Sequence, residues 1–329
     1  REDSTSERLK EKAMIATVTL NAAIDKRYVI EKLQPGEVLR LEECSYSAGG
    51  KGINVSRVAR LSGEEVFAMG FIGGCSGGYI IEELKKLDIE CDFTQAEGET
   101  RSCINLFEKA SKRQTEFLEP GVTVMSDQKK LFLETYKKGI AACPVVVISG
   151  SAPKGIEPEF YRKLIRIAKN MGKKVILDTS GNLLKEGICE KPYLVKPNRK
   201  ELEDLMGKKF SDNRKLLKAA MKIKDQGVEI VVVSLGRYGA VAVTSEGVYT
   251  GIAPDIPVVN TVGCGDSMVA AFAAGCAHAL PVREMLRYGL AFAAANAVNE
   301  KTGFFLHEDY LNLLERVEVR GPEKPIDLI

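Results

Sequence analysis

The chain has 329 residues, with 47 Lys+Arg against 45 Asp+Glu, a formal charge of +2 and 45% hydrophobic residues. That apolar fraction supports a buried core and excludes wholesale disorder, while the near-zero charge argues against a nucleic-acid or anionic-membrane partner. No apolar run reaches the length of a membrane-spanning helix, and two histidines leave little room for a Ser-His-Asp triad or a His-rich metal site.

Residues 1–13 are charged and lack the apolar stretch of a signal peptide, so they are expected to form a solvated tail. Met14–Leu20 then reads as a buried strand. Tyr28–Leu33 and Val38–Ser47, split by the turn Pro35-Gly36, alternate in polarity like half-exposed strands. A helix is predicted over Ile53–Leu61, a strand over Val66–Ile72 and an amphipathic helix over Tyr79–Leu87. Thr100–Glu108 and Thr115–Leu118 again resemble half-exposed strands. From Pro144 onward the apolar runs 145–149, 174–178, 193–197 and 230–234 alternate with helical stretches at Glu159–Lys169, Lys200–Met206 and Arg214–Gln226. Strand, turn and helix in repeated order predict a mostly parallel sheet covered on both faces. Asp266–Leu280 and Val282–Glu300 are apolar all round, as buried helices are. Eight scattered cysteines without a C-x-x-C pair read as free thiols of a reducing cytoplasmic compartment rather than as disulfides or zinc ligands.

Four segments carry candidate chemistry. In NTVGCGDS (260–267), Gly263 and Gly265 allow backbone N–H groups around Cys264 to converge at a helix N-terminus, a ready anion site. Asp266 in the same turn either caps the helix or takes a proton from an attacking hydroxyl. AGGKGIN (48–54) is neither a phosphate-binding P-loop nor a dinucleotide fingerprint, which disfavours a nicotinamide enzyme. It is a close-approach loop with one lysine, or simply a Gly-rich turn. KPNRKE (196–201) offers Asn198 and Glu201 to one site, or makes them a capping box. SLGRYG (234–239) either cradles a nucleotide or turns the chain.

Taken together these motifs resemble the PfkB/ribokinase family of carbohydrate kinases. AGGKGINVSRVARLSG (48–63) is similar to its first signature and TVGCGDSMVAAF (261–272) to its second. SGSAPKG (149–155), LDTSG (177–181), KPNRKEL (196–202) and VSLGRYGA (233–240) fall between them in the family's order. TLNAAID (19–25) and the GGKG form look like the hexose-phosphate branch, tagatose-6-phosphate kinases and 1-phosphofructokinases, with GETRSCINL (98–106) and QTEFLEPG (114–121) leaning toward the former. The resemblance implies a ribokinase-like three-layer α/β/α domain over residues 14–320, with a small β lid from about 25–47 and 93–119 and a C-terminal tail at 321–329. It further implies ATP and Mg²⁺ as cofactors, a ketohexose phosphate as substrate and a homodimer formed through the lid.

Carried over residue by residue, the resemblance implies Asp266 as catalytic base, with Gly263, Cys264 and Gly265 forming the anion hole. It implies Asp25, Gly49, Gly50, Lys51, Asn54 and Arg101 at the sugar phosphate, and Arg40 reaching a neighbouring subunit's substrate. Lys196, Asn198, Ser234, Gly236 and Gly239 align with the nucleotide site, and Glu201 with an indirect magnesium role. Ala22, Ala152 and Cys264 depart from the usual Pro, Leu and Ala, and none removes a charged group. Cys264 at a helix N-terminus is either a thiol of lowered pKa or an inert space-filler. A non-catalytic sugar-phosphate sensor on the same fold is the rival reading, and Asp266 argues against it.

Overall fold

Met14–Thr19 (β1) is a run of apolar and β-branched residues, buried at all but its first position. It pairs in parallel with Glu65–Ile72 (β4) on one side and Val145–Ser149 (β8) on the other. Beyond β4 lies Glu90–Gln95 (β5), and beyond β8 lie Lys174–Asp178 (β9), Leu194–Val195 (β10) and Ile230–Ser234 (β11), all parallel. Ala240–Val243 (β12), Val248–Ile252 (β13) and Glu318–Glu323 (β14) extend the sheet in antiparallel fashion to ten strands. The computed structural model describes residues 12–323, so most of the expected N-terminal tail and residues 324–329 lie outside the described residues.

Side chains alternate between the two faces of each strand, and the core divides accordingly. Val145 and Val147 join one apolar layer, Val146 and Ile148 the other. The first layer receives Lys51–Leu61 (α1), Gly74–Lys86 (α2), Cys264–Ala277 (α8), Val282–Ala297 (α9) and His307–Glu315 (α10). The second receives Ser126–Gly139 (α3), Pro158–Asn170 (α4), Gly181–Cys189 (α5), Arg199–Met206 (α6) and Asn213–Asp225 (α7). The expected three-layer α/β/α arrangement is therefore present.

A second sheet stands apart. Ala23–Ile30 (β2), Glu43–Gly49 (β3), Arg101–Glu108 (β6) and Arg113–Leu118 (β7) run in the order β3-β2-β6-β7. β7 was expected to be half-exposed, but every one of its residues is exposed, because it is the edge strand of this sheet. The lid differs in its limits from the sequence expectation. It begins at Ala23 and β3 reaches Gly49, whereas residues 93–95 belong to β5 in the large sheet. Residues 31–42 form an exposed loop between β2 and β3, not strand. The apolar run 193–197 contributes a ladder of two residues only, because Pro197 has no N–H to donate. The C-terminal boundary also moves. β14 carries the sheet through Glu323, three residues beyond the expected domain end.

Candidate active site

From β1 the chain reaches β4 on one side of the sheet, then returns at β8 on the other, so β1 and β8 flank a switch in strand order. A crevice opens there at the carboxyl ends of the parallel strands. The lid grows directly from this crevice, because β2 starts four residues after β1 ends. The AGG loop that closes β3 returns the chain to the crevice at the start of α1.

Close approach explains Gly49. A Cβ there would collide with the carboxyl group of Asp25 on the paired strand. Asp25 thereby lies against the loop, beside Gly49 and Gly50. Burial pushes its carboxyl up to about 6, Arg57 pulling it down and Asp266 pushing it further up. Asp25 and Arg57 also line a cavity of about 480 Å³ between the lid and the body.

Gly263 opens α8 at φ 84°, a left-handed conformation, and a Cβ there would press on the backbone N of Gly303. Cys264, Gly265 and Asp266 form the first turn. The helix has no side-chain cap, and Asp266 Oδ2 instead accepts from Asn54 Nδ2 at 2.8 Å. The capping alternative is thereby removed. Asp266 is 6% exposed, and burial raises its pKa against the pull of Lys51. A carboxylate that holds a proton more tightly than usual is a better general base. Cys264 is not a thiol of lowered pKa: burial pushes it up to about 11, and its Sγ accepts from Asn296 Nδ2.

The centre of the crevice holds a residue that motif reading passed over. Asp178, at the end of β9, has a fully buried side chain and pairs with Lys51 Nζ at 3.2 Å and Lys196 Nζ at 3.3 Å. Burial opposes its ionisation, but Lys196 and Lys51 prevail and hold it below the usual carboxylate range. Lys196 therefore sits deeper than the expected nucleotide role implied. Its Nζ lies so close to Gly265 that a Cβ there would stand 3.4 Å away. Two ammonium groups are thus held beside the N-terminus of α8, where positive charge and converging N–H groups suit a phosphoryl group in transfer.

Arg101, at the first position of β6, donates to the carbonyl of Asn21 and the hydroxyl of Ser151, and its buried Nε has no partner. That spare donor at the mouth of the crevice suits an anion. Two further asparagines take part: Asn296 was missed, since an isolated Asn carries no signal in sequence, and Asn260 opens the NTVGCGDS motif without having been given a role. Asn296 Oδ1 accepts from Gly303 N and its Nδ2 donates to the Val262 carbonyl, while Asn260 Nδ2 donates to the Glu300 carbonyl. Together they clamp the loop leading into α8 to residues 300–304.

On the far side, Asn198, Ser234 and Gly236 line an open cavity of about 730 Å³ with Tyr238 and Asn213. Gly239 does not line it; it packs on the carbonyl of Gly251. Asn198 and Glu201 form a true capping box, Asn198 Oδ1 accepting from Glu201 N and Glu201 Oε2 from Asn198 N. Among the described residues no group of three or more His, Cys, Asp or Glu could hold a metal. Arg40 is exposed in the loop between β2 and β3 and takes no part in these contacts within the chain.

A family model described as pfkB family carbohydrate kinase matches residues 15–308. The chain is 38% identical over 309 residues to a tagatose-6-phosphate kinase of Staphylococcus epidermidis, covering 93% of this chain and 99% of the relative. A tetrameric inhibited form of Escherichia coli phosphofructokinase-2 superposes with a TM-score of 0.85 at 30% identity, covering 93% of this chain and 99% of that one. A possible 1-phosphofructokinase of Thermotoga maritima gives 0.83 at 30% identity over the same shares.

Proposed function

The chain belongs to the pfkB family of carbohydrate kinases, and from that premise we propose that it transfers the terminal phosphoryl group of ATP to the primary hydroxyl of a ketohexose monophosphate, giving a 1,6-bisphosphate. The observation that carries this reading is Asp266, a buried carboxylate at a helix N-terminus, oriented by Asn54 and flanked by the Lys51–Asp178–Lys196 cluster. Asp266 accepts the proton as the sugar oxygen attacks. The N–H groups of the α8 first turn and the two lysines take up charge on the phosphoryl group. Asp25 orients the sugar hydroxyls, and Arg101 meets the substrate's own phosphate. Lid closure excludes water that would otherwise hydrolyse ATP.

Magnesium fits this site in one form only. The capping box engages one oxygen of Glu201, and no three-carboxylate cage exists among the described residues. Mg²⁺ commonly keeps most of its waters and takes one or two carboxylates plus substrate phosphates, so Glu201 would hold it through water. The ion would supply charge neutralisation on the phosphates.

The higher identity to a tagatose-6-phosphate kinase favours tagatose 6-phosphate as the acceptor, with fructose 1-phosphate as the second reading. A coupled ATP assay across tagatose 6-phosphate, fructose 1-phosphate, fructose 6-phosphate and unphosphorylated hexoses tests both. Turnover of unphosphorylated sugars alone would remove Arg101 from its role at the substrate's own phosphate.

The pH profile follows from Asp25. Only its ionised form accepts from two sugar hydroxyls, and its pKa lies at about 6. Below that value, kcat/KM is expected to fall by at least about tenfold per pH unit, and more steeply where the Asp266 base, also held above its ordinary value, takes up a proton. A profile flat down to pH ~5 would show that Asp25 does not bind the sugar as a carboxylate.

The lid also supplies a partner surface. Leu33, Val38, Leu41, Tyr46, Phe117 and Leu118 are all exposed there, and β7 is an all-exposed edge strand. Such a surface calls for a covering partner, and a second copy of the lid provides one. Arg40 in the same lid loop would then face the partner's crevice. Phe117→Asp combined with Val38→Asp is expected to halve the mass measured by light scattering; an unchanged mass would place the interface elsewhere. With all eight cysteines unpaired, a reducing cytoplasm is the compartment that suits the chain.

A further inference from the structure

Arg57 lies on α1 one turn after Asn54, half-buried, with no expected role in the chemistry. Its guanidinium makes three contacts with three different segments. Nη1 donates to Asn54 Oδ1 at 3.1 Å and to the carbonyl of Thr302 at 3.0 Å, and Nη2 donates to the carbonyl of Ala48. Thr302 precedes Gly303, whose N–H is fixed by Asn296, and Ala48 precedes the Gly49–Gly50 loop.

The contact with Asn54 has a chemical consequence. A guanidinium has donors only, so the Asn54 atom it touches must be the amide oxygen. The amide nitrogen is then forced toward Asp266, where it donates to Oδ2. With Oδ2 occupied, Oδ1 is the oxygen left to accept a proton. Were the amide reversed, its oxygen would face the Asp266 carboxylate and repel it. We propose that Arg57 is a positioning residue for phosphoryl transfer, setting the Asn54 amide so that Asp266 presents one fixed oxygen to the acceptor hydroxyl while the AGG and 300–304 loops are tied to the same guanidinium. This inference rests on the reading of Asp266 as the base. The titratable groups facing the pair from neighbouring elements are Asp25 on β2, Glu83 and Tyr79 on α2, Lys51 on α1, Asp178 on β9 and Lys196 after β10.

Lysine cannot reproduce a fork with three acceptors, so Arg57→Lys tests geometry at constant charge. Steady-state kinetics with ATP and the best ketohexose phosphate are measured for wild type, Arg57→Lys, Arg57→Met, Asn54→Ala and the Arg57→Met/Asn54→Ala double variant. Loss of alignment at the reacting atoms costs about 10²-fold, so at a pH high enough to keep Asp25 ionised without the pull of Arg57, kcat is expected to fall by that order in Arg57→Met and less in Arg57→Lys, with KM moving far less. Because Arg57 acts through Asn54, the double variant is expected to be no slower than the slower single variant. A purely structural role would lower the melting temperature and give additive losses. Should Arg57→Met fail to fold, Arg57→Lys carries the same kcat-against-KM test. Wild-type turnover with Arg57 variants whose kcat stays within ~3-fold of it, or additive losses in the double variant, overturn this inference alone. A wild type that phosphorylates no sugar phosphate overturns the functional reading and this inference with it.

Discussion

Asp266→Asn is expected to abolish sugar-phosphate phosphorylation while leaving ketohexose-phosphate binding largely intact. The substitution keeps the shape of the side chain, and an amide oxygen still accepts the hydrogen bond from Asn54 that the carboxylate takes at 2.8 Å. What disappears is the capacity to receive a proton. A positioned general base contributes about 10²–10⁴-fold to a rate, so kcat is expected to fall within or beyond that range. Fold stability is expected to hold or rise slightly, because a carboxyl whose ionisation burial opposes is replaced by a neutral group. Calorimetric titration with tagatose 6-phosphate, alongside the coupled assay, separates the two effects. Near-normal turnover in this variant would sink the assignment of the base. Wild-type binding of sugar phosphate and ATP without turnover would favour the sensor.

The chain order of strands and helices, and the character of the lid, were legible in the sequence because hydrophobic periodicity is local. A run such as VVVIS is apolar at every position because a parallel strand is covered on both faces, and no distant residue needs to be known to say so. Five elements were not predicted, the helices α3, α5 and α10 and the strands β12 and β13, and two more strands have a polarity set by their position at an edge. β5 (ECDFTQ) ends the large sheet on one side, and β14 runs through a proline at the other. Neither carries a strong alternation. The site divides in the same way. Gly49 and Gly263 were readable because glycine declares a backbone requirement on its own, and Asp266 because an acid in an anion-binding turn demands an explanation. Asp178 was not, although it stands in a quoted motif. Its meaning comes from Lys51, 127 residues away, and Lys196, which meet it only in the folded sheet. Arg57 drew no reading of its own; Asn54 is its neighbour on the same helix, but the Ala48 and Thr302 carbonyls are set beside them only by the fold.

Asp178→Ala is expected to be the most damaging single change to the fold. Breaking a buried ion pair by removing one partner costs about 3–5 kcal/mol, because the remaining charge stays buried without compensation. Here one carboxylate compensates two ammonium groups; the Lys51 side chain is partly exposed, but Lys196 is only 3% exposed, so the cost falls on Lys196. A fall on the order of 10 °C in Tm is therefore expected at pH 7. Adding Lys196→Met to Asp178→Ala removes the stranded charge, so the double variant is expected to recover much of the lost Tm without recovering activity. The pH dependence has a definite sign. The folded carboxyl of Asp178 is held below its ordinary value, so its stabilisation is fully present above the unfolded carboxylate pKa of about 4 and is lost as pH falls through the folded value. Wild type thus loses stability on acidification below pH ~4 partly through this group, and the variant's melting temperature changes less over that window. Thermal melts between pH 3 and 7 measure both effects. A variant melting within ~2 °C of wild type at pH 7 would mean that the two lysines find other partners or reach solvent, and that Asp178 does not hold the centre of the crevice together.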